Sequence, residues 1–383
     1  MDFSEPDESR LLRDAVSGIA RRYGHEYYVR QSRSKATSST LWSELAEGGF
    51  MSVNIPEAYG GGGMGLAELA IVCEEVAAAG CPLLLMLVSP AICVSILTRF
   101  GTEEHKQRWL SRLARGDKMV FAITEPDAGS NSHRLSTVAT RHGDGYLISG
   151  QKYYISGVDE ADTMLVVTRT GLDERTGAGR LSLFVVDTDA PGLVREPIEM
   201  EILEPERQYT LYFDDVEVGP DRLIGVEGDG LHALFAGLNP ERILTAALAN
   251  GIARYALDKA AAYARDRSVW GVPIATHQAI SHPLAGAHVD VELARLMTAK
   301  AAWLYDHDLD AAEASNMAKL AAADAANAAL DQAIQTYGGN GMATATGLAT
   351  LWGLTRLLRI APVSREMILN FVSQHSLGLP RSY

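Results

Sequence analysis

The sequence predicts an α+β protein with an N-terminal helical domain, a central antiparallel β-domain and a C-terminal four-helix bundle. Three observations carry this expectation. Segments of helical periodicity, broken by Gly and Pro, fill residues 1–118; short runs rich in β-branched and aromatic residues fill 119–230; long Ala-rich segments fill 231–383. The chain is 47% hydrophobic and 21% charged, so it buries a large core rather than staying disordered.

In the first part, helices are expected over Glu8–Gly24, Thr40–Gly49, Leu66–Ala79, Ser89–Phe100 and Glu103–Arg115, punctuated at Pro56, Gly60–Gly63, Pro82 and Gly101. In the second, Met119–Ile123, Tyr146–Ser149, Lys152–Ile155, Thr163–Thr168, Leu181–Asp187 and Tyr209–Val218 read as strands. Turns such as Gly143-Asp144-Gly145 and Ala190-Pro191-Gly192 separate them. In the third, four long helices are expected near 232–266, 276–307, 309–337 and 346–374. Within the second of these, Leu284, Val291, Leu296 and Leu304 form one apolar stripe, leaving Glu292, Arg295 and Lys300 wet. The abundant Ala either lets helices approach closely or simply favours helix.

Charge and composition exclude several functions. With 34 Lys+Arg against 48 Asp+Glu the net charge is −14, which argues against nucleic-acid or anionic-membrane partners. No apolar run reaches the roughly 20 residues of a spanning helix. The start MDFSEPDESR is acidic and polar, unlike a signal or transit peptide. Cys73, Cys81 and Cys93 lack ligand spacing and fit a reducing, cytoplasmic setting. No metal site is expected, because no HExxH or Cys/His cluster occurs. Gly60, Gly62 and Gly65 match G-x-G-x-x-G, but Pro56 precedes them and no parallel strand follows, so a turn is expected. No G-x-S-x-G elbow supports a serine hydrolase.

Chemistry concentrates in five segments. Phe121-Ala122-Ile123-Thr124-Glu125-Pro126-Asp127-Ala128-Gly129-Ser130-Asn131 runs from a strand into a loop of small and hydroxyl residues that can approach a ligand closely. Tyr154-Ile155-Ser156 ends a strand with an aromatic and a hydroxyl. Arg267-Ser268-Val269-Trp270-Gly271 offers a guanidinium for phosphate beside an indole for stacking. Gln278 follows in the next helix. Gln335-Thr336-Tyr337-Gly338-Gly339-Asn340-Gly341 closes the third bundle helix. Taken singly, each reads equally well as a strand end, cap or turn.

Together, in this order, they resemble the acyl-CoA dehydrogenase family of flavoproteins, over nearly the whole chain. The resemblance implies FAD as cofactor, with Phe121, Ile123, Thr124, Gly129, Ser130, Tyr154 and Ser156 around the isoalloxazine. It implies that Arg267, Trp270 and Gln278 reach the pyrophosphate and adenosine of a neighbouring subunit, with Gln335, Gly338 and Gly339 nearby. A homo-oligomer follows, at least a dimer and usually a tetramer. The implied substrate is an acyl-CoA, the product a trans-2-enoyl-CoA, and the electron acceptor an electron-transferring flavoprotein.

The catalytic carboxylate departs from the common pattern. Most relatives carry a Glu-Gly-Thr motif late in the fourth bundle helix, and that place falls on Pro362-Val363-Ser364 here. Isovaleryl-CoA dehydrogenase and some long-chain relatives instead carry Glu before Arg in the first bundle helix, which matches Leu238-Asn239-Pro240-Glu241-Arg242. By this resemblance Glu241 is the base that takes the α-proton while the β-hydrogen passes to flavin N5. Ser130, Asn239 and Arg242 face the substrate, and Ser364 the cofactor. The bland alternative makes Asn239 an N-cap, Pro240 the first helical residue and Glu241 a first-turn acid. An apolar wall of Leu84–Leu87 and Ile92–Leu97 fits both an acyl site and ordinary core. Two rivals remain: an oxidase or monooxygenase on the same scaffold, and a catalytically silent or heteromeric subunit.

Overall fold

The computed structural model describes residues 5–131 and 134–381. The chain begins with α1 (Asp7–Arg33), which kinks at Gly24 (φ 65°) and continues beyond the expected stop there. Two helices follow, α2 (Ser39–Glu47) and α3 (Leu66–Ala78). Gly60 and Gly63 both take positive φ in the turn before α3, and no described strand leads into it, so the glycine run serves a turn. The Asp306 carboxylate accepts from the Leu66 and Ala67 N–H groups at 2.7 and 2.9 Å, capping α3 from the far end of the chain.

A wide, π-type turn over Leu87–Cys93 then leads into α4 (Val94–Phe100). The expected helix at 103–115 is divided into α5 (Glu103–His105), a second wide turn at Lys106–Leu110, and α6 (Ser111–Ala114).

The middle of the chain is a sheet of β1 (Met119–Ala122), β2 (Val138–His142), β3 (Gly145–Ser156), β4 (Thr163–Leu172), β5 (Gly179–Asp187), β6 (Leu193–Ile198), β7 (Gln208–Val218) and β8 (Leu223–Ile224). The order is β6-β7-β3-β2-β4-β5-β8, with β1 beside β4. Most pairs are antiparallel, but β1 and β4 run parallel, Met119 opposite Thr163 through Ala122 opposite Val166. The expected antiparallel unit is thus mostly antiparallel, with β1–β4 and the single β2–β4 pairing at Val138 and Arg169 parallel. Two expected strands are one, β3, whose register against β7 shifts at irregularities between Ile148 and Gly150 and between Lys152 and Ile155. Strands β2 and β6 escape a hydrophobic reading because their side chains are largely polar and exposed. Strand β6 lies at the sheet edge, which tolerates Pro197.

Three long helices follow: α7 (Gly230–Asp266), α8 (Gln278–Asp306) and α9 (Ala312–Tyr337). Two-residue strands β9 (Ser268–Val269) and β10 (Val272–Pro273) join α7 to α8 as a hairpin. The expected fourth long helix is broken into α10 (Trp352–Leu357) and α11 (Arg365–Phe371). Pro362, which has no N–H to donate, sits in the break.

The bundle interior is made largely of Ala. Ala314, Ala318, Ala322, Ala326, Ala329 and Ala333 line the buried side of α9, so these small side chains serve close packing as well as helix propensity. The stripe expected on α8 holds at Val291, and part-buried at Leu284 and Leu304, but not at Leu296. Ala287, Val291, Ala294, Thr298 and Ala301 face inward, whereas Leu296 is exposed together with Val289, Leu293 and Trp303.

Helix α7 approaches α3 closely at Gly251, where an added Cβ would lie 2.4 Å from the Glu74 carbonyl oxygen and 2.5 Å from the Ala77 Cβ. Main-chain atoms on a packed helix cannot yield locally, so the helices must separate. Gly251→Ala should cost on the order of 1–3 kcal/mol in urea unfolding; a midpoint equal to wild type would show that the helices part freely.

Candidate active site

The wide turn Leu87–Cys93 lies between the sheet and α7. On one side the Met119 N–H donates to Ser89 Oγ at 3.1 Å, and Cys93 Sγ approaches the Met119 carbonyl oxygen at 3.6 Å. On the other, Ile92 and Ile96 pack against Gly237 of α7, one turn before Glu241. Upstream, Leu85 packs under Gly157, immediately after the end of β3. Leu84–Leu87 and Ile92–Leu97 therefore pack as buried core while separating a strand-end group of residues from Glu241.

The strand-end group is built on β1 and β3. Phe121 is buried on β1, while Ile123 and Thr124 follow it half-buried. The Tyr153 N–H donates to the Thr124 carbonyl at 2.8 Å, which sets this loop beside the end of β3. There Tyr154 takes positive φ (56°) and is about half exposed, turning its ring outward. Gly129 and Ser130 form the exposed rim of the loop. The hydroxyls of Thr124 and Ser130 have no partner among the described residues. Ser156 does: its hydroxyl donates to Gln208 Oε1 at 2.9 Å across the β3–β7 pair.

A fully buried ion pair fixes this loop. Lys152 Nζ on β3 donates to Glu125 Oε1 at 2.9 Å and to the Ile123 carbonyl at 3.0 Å. The Glu125 carboxylate also accepts from the Ser136 N–H and hydroxyl, both at 2.6 Å, and from the Thr137 N–H at 3.0 Å. Burial alone would raise the Glu125 pKa, but the Lys152 ammonium and the surrounding donors outweigh it and hold it at about 2. Burial lowers Lys152 to about 8, against the pull of Glu125.

The second group surrounds Glu241. Asn239 and Pro240 lie inside α7, nine and ten residues after its start at Gly230, so the cap reading of this stretch is overturned. Asn239 Oδ1 instead accepts from Arg242 Nη1 at 2.8 Å and from the Ser315 hydroxyl at 3.2 Å, holding the guanidinium in place. Glu241 itself accepts no side-chain hydrogen bond among the described residues. It is partly accessible yet deep in the protein, and desolvation raises its pKa to about 7 despite Arg242 and Lys319.

Lys319 is buried on α9 and donates to the Val363 carbonyl at 2.6 Å. Burial lowers its pKa to about 8, opposed first by Glu241. It thereby ties Pro362-Val363-Ser364, a segment without a carboxylate, to the surroundings of Glu241. Ser364 caps α11, its Oγ accepting from the Met367 N–H at 3.2 Å.

The third group lies at the end of the bundle. Arg267 ends α7, the exposed Trp270 (89% accessible) sits in the β9–β10 turn with φ 51°, and Gln278 starts α8. Tyr263 stacks on Tyr337 at 4.0 Å and its hydroxyl accepts from Asn340 Nδ2 at 3.2 Å, which brings the turn containing Gln335, Gly338 and Gly339 to the same end. Arg267, Gln278, Gln335, Gly338 and Gly339 are exposed. Arg267 has no carboxylate partner among the described residues. No described hydrogen bond or ring contact joins this group to the strand-end group.

These donor sets fit FAD in two halves. Strand-end aromatics and free hydroxyls suit its ring system, and an uncommitted guanidinium beside an exposed indole suits its pyrophosphate and adenosine. The residues that sequence reasoning passed over are the buried ones: Lys152, Lys319, Gln208 and Glu204. Lys319 did leave a signal, since it is the sole charged residue between Glu313 and Asp324 in an Ala-rich helix.

Comparison with known proteins agrees with this architecture. The family models described as acyl-CoA dehydrogenase N-terminal, middle and C-terminal domains match residues 6–117, 120–216 and 228–377. The acyl-CoA dehydrogenase FadE12 of Mycobacterium tuberculosis is 54% identical over 384 residues, covering 100% of this chain and 99% of that protein. Among solved structures, butyryl-CoA dehydrogenase from Megasphaera elsdenii superposes with a TM-score of 0.92 at 26% identity, covering 99% of this chain and 100% of the other. An FAD complex of PigA does so with 0.91 at 26% identity, with the same coverage. The chain belongs to the acyl-CoA dehydrogenase family. It is an oxidoreductase acting on the CH–CH group of an acyl-CoA, with FAD as its cofactor. No described helix is long and apolar enough to cross a membrane.

Lys152→Met should strand the Glu125 carboxylate in the interior and cost about 3–5 kcal/mol. Thermal melting would detect it, and an unchanged melting temperature would show that water or the loop itself rescues the acid. The wild-type pH dependence has a definite sign. The Glu125 contribution is present above its ordinary pKa of 4.5 and is lost as pH falls towards about 2. Acid melts should therefore distinguish wild type from Lys152→Met in that window.

Proposed function

We propose that this protein catalyses α,β-dehydrogenation of an acyl-CoA to a trans-2-enoyl-CoA, with Glu241 as the base. The observation that carries the proposal is the setting of Glu241. It is a carboxyl with a pKa raised to about 7, linked through Lys319 of α9 to a 362–364 segment that offers no acid of its own. Bound FAD supplies the two-electron acceptor for the β-hydrogen. Glu241 takes the α-proton at a carboxylate oxygen, and its weak hydrogen bonding leaves that oxygen available. A base poised near neutral pH matches proton abstraction in the working range. Arg242, held by Asn239, supplies a fixed positive charge at the substrate side, and Leu84–Leu87 with Ile92–Leu97 form the apolar wall that excludes water.

The finer assignments belong to the same reading. Phe121, Ile123, Thr124, Gly129, Ser130, Tyr154, Ser156 and Ser364 face the cofactor ring, with Ser130 also towards substrate. Arg267, Trp270, Gln278, Gln335, Gly338 and Gly339 serve the pyrophosphate and adenosine across a subunit boundary. Their separation from the strand-end group in one chain supports a homo-oligomer, a dimer at least and a tetramer by family habit. The exposed stripe Val289, Leu293, Leu296 and Trp303 supports it too. An electron-transferring flavoprotein is the proposed acceptor, the cytoplasm the proposed location, and 1–118, 119–230 and 231–383 the proposed domains.

Glu241→Gln keeps size but cannot accept the proton. Anaerobic single-turnover flavin reduction by an acyl-CoA panel should slow about 10²- to 10⁴-fold, with bound FAD and melting unchanged. In the wild type, the reduction rate should climb with pH as the carboxyl ionises and level off above about 7. Near-normal reduction in the variant would move the base elsewhere, with Glu366 next to test. Rapid reoxidation by oxygen would favour an oxidase, and no reduction by any acyl-CoA would favour a silent subunit.

Arg267→Ala should weaken FAD retention roughly 30- to 150-fold through loss of a charge-assisted contact. An equilibrium FAD titration of the apoprotein measures this, and an unchanged affinity would leave Arg267 as a helix-end residue only.

A further inference from the structure

Behind Ser156 lies a hydrogen-bonded chain that leads into the protein interior. Ser156 Oγ donates to Gln208 Oε1 at 2.9 Å, and Gln208 Nε2 donates to Glu204 Oε1 at 2.9 Å. Gln208 and Glu204 are buried, and the second carboxylate oxygen of Glu204 is buried without any partner. No described cation pairs with Glu204. Lys118 is engaged by Glu160 and Arg207 by Asp159. The other ionisable neighbours are Glu206 on the same loop and Tyr28 of α1, with Cys81 beyond them beside Glu206, each neutral or negative.

An amide presents a donor at one end and an acceptor at the other, so the chain has two consistent arrangements. With Glu204 ionised, Gln208 must turn its NH2 towards the carboxylate. Ser156 then donates inward to Gln208 Oε1, and only its lone pairs face outward. With Glu204 protonated, its O–H can donate to the amide oxygen. The reversed amide then donates to Ser156, whose hydroxyl proton is released outward.

We propose that Glu204, acting through Gln208, is a positioning residue that sets whether the Ser156 hydroxyl offers a proton or a lone pair to the flavin ring. This rests on the proposed placement of Ser156 against the cofactor. Apart from a single ring N–H, the polar edge of an oxidised isoalloxazine consists of acceptors. Oxidised FAD is therefore favoured by the arrangement in which Glu204 carries its proton. Burial without a counter-ion supports that state: desolvation raises the Glu204 pKa to about 7, partly opposed by the Gln208 hydrogen bond. The proton on Glu204 is exchanged with solvent, and no other bond is made or broken.

The test is the affinity of the apoprotein for oxidised FAD from pH 6 to 8. Wild-type affinity should fall roughly 3- to 10-fold across this range, the worth of one hydrogen bond. Glu204→Gln is nearly isosteric and neutral like the protonated acid, and should make the affinity independent of pH. Ser156→Ala should bind FAD at every pH about as weakly as wild type does at pH 8, and so lose the dependence, while Glu206→Gln should keep it. A flat wild-type profile overturns the proposal, as does a dependence that survives Glu204→Gln or vanishes with Glu206→Gln. Failure of the wild type to bind FAD at all would sink it together with the cofactor placement, whereas binding with a flat profile sinks it alone. The share of the carboxylic-acid C=O infrared absorption lost between pH 6 and 8 that disappears in Glu204→Gln, while the shares of Glu241 and Glu206 persist, provides a check free of cofactor.

Discussion

The wedge formed by Leu87–Cys93 is the contact on which the other parts of the site depend. It is a wide turn containing Pro90, so its backbone is free to bond outside its own helix. The Pro90 carbonyl accepts from Asn54 Nδ2 at 2.8 Å, the Ser89 and Cys93 side chains reach main-chain groups of β1, and Ile92 presses against α7. One element therefore sets both the spacing and the relative orientation of the sheet and the helix that carries Glu241. Leu85, just upstream, extends the same surface under the end of β3. An acyl thioester reaching from the strand ends to Glu241 would pass along a wall whose position is fixed from both sides.

Two buried lysines show how burial produces opposite outcomes. Lys152 meets Glu125 directly, and three further donors complete that carboxylate, so the acid stays firmly ionised and the loop is pinned. Lys319 spends its hydrogen bond on a carbonyl and reaches Glu241 only through space. Glu241 thus keeps most of the desolvation penalty and titrates near neutrality. The number of hydrogen bonds to the carboxylate, more than depth, separates an acid held ionised from one that titrates near neutrality.

The order of helices, sheet and helices was legible because periodicity and punctuation report it directly. The segments Phe121–Asn131, Tyr154–Ser156, Arg267–Gly271 and Gln335–Gly341 were legible through their resemblance to a family, and the first two do come together in space. Less legible were features whose cause is tertiary. Strands β2 and β6 owe their existence to pairing, not to apolar side chains. Leu296 faces outward because Ala and Thr, not Leu, fit the narrow gap between helices. The apparent helix cap at Asn239-Pro240-Glu241 is helix interior, since α7 begins at Gly230 and the local signal is overridden by packing. Lys152 and Gln208 act through Glu125 and Ser156, partners distant in sequence that no local pattern encodes, and Glu204 reaches Ser156 only through Gln208.

The break between α10 and α11 has a further consequence through Lys319. A helical 362–364 segment would commit its carbonyls to the helix's own N–H groups. In the broken segment the Val363 carbonyl is instead available to an ammonium that also feels Glu241. Any motion of that backbone alters how strongly the carbonyl holds the ammonium, and so how much positive potential reaches the Glu241 carboxyl. A shift of that one peptide group would thus be returned, through the ammonium, as a change in acidity on a different helix.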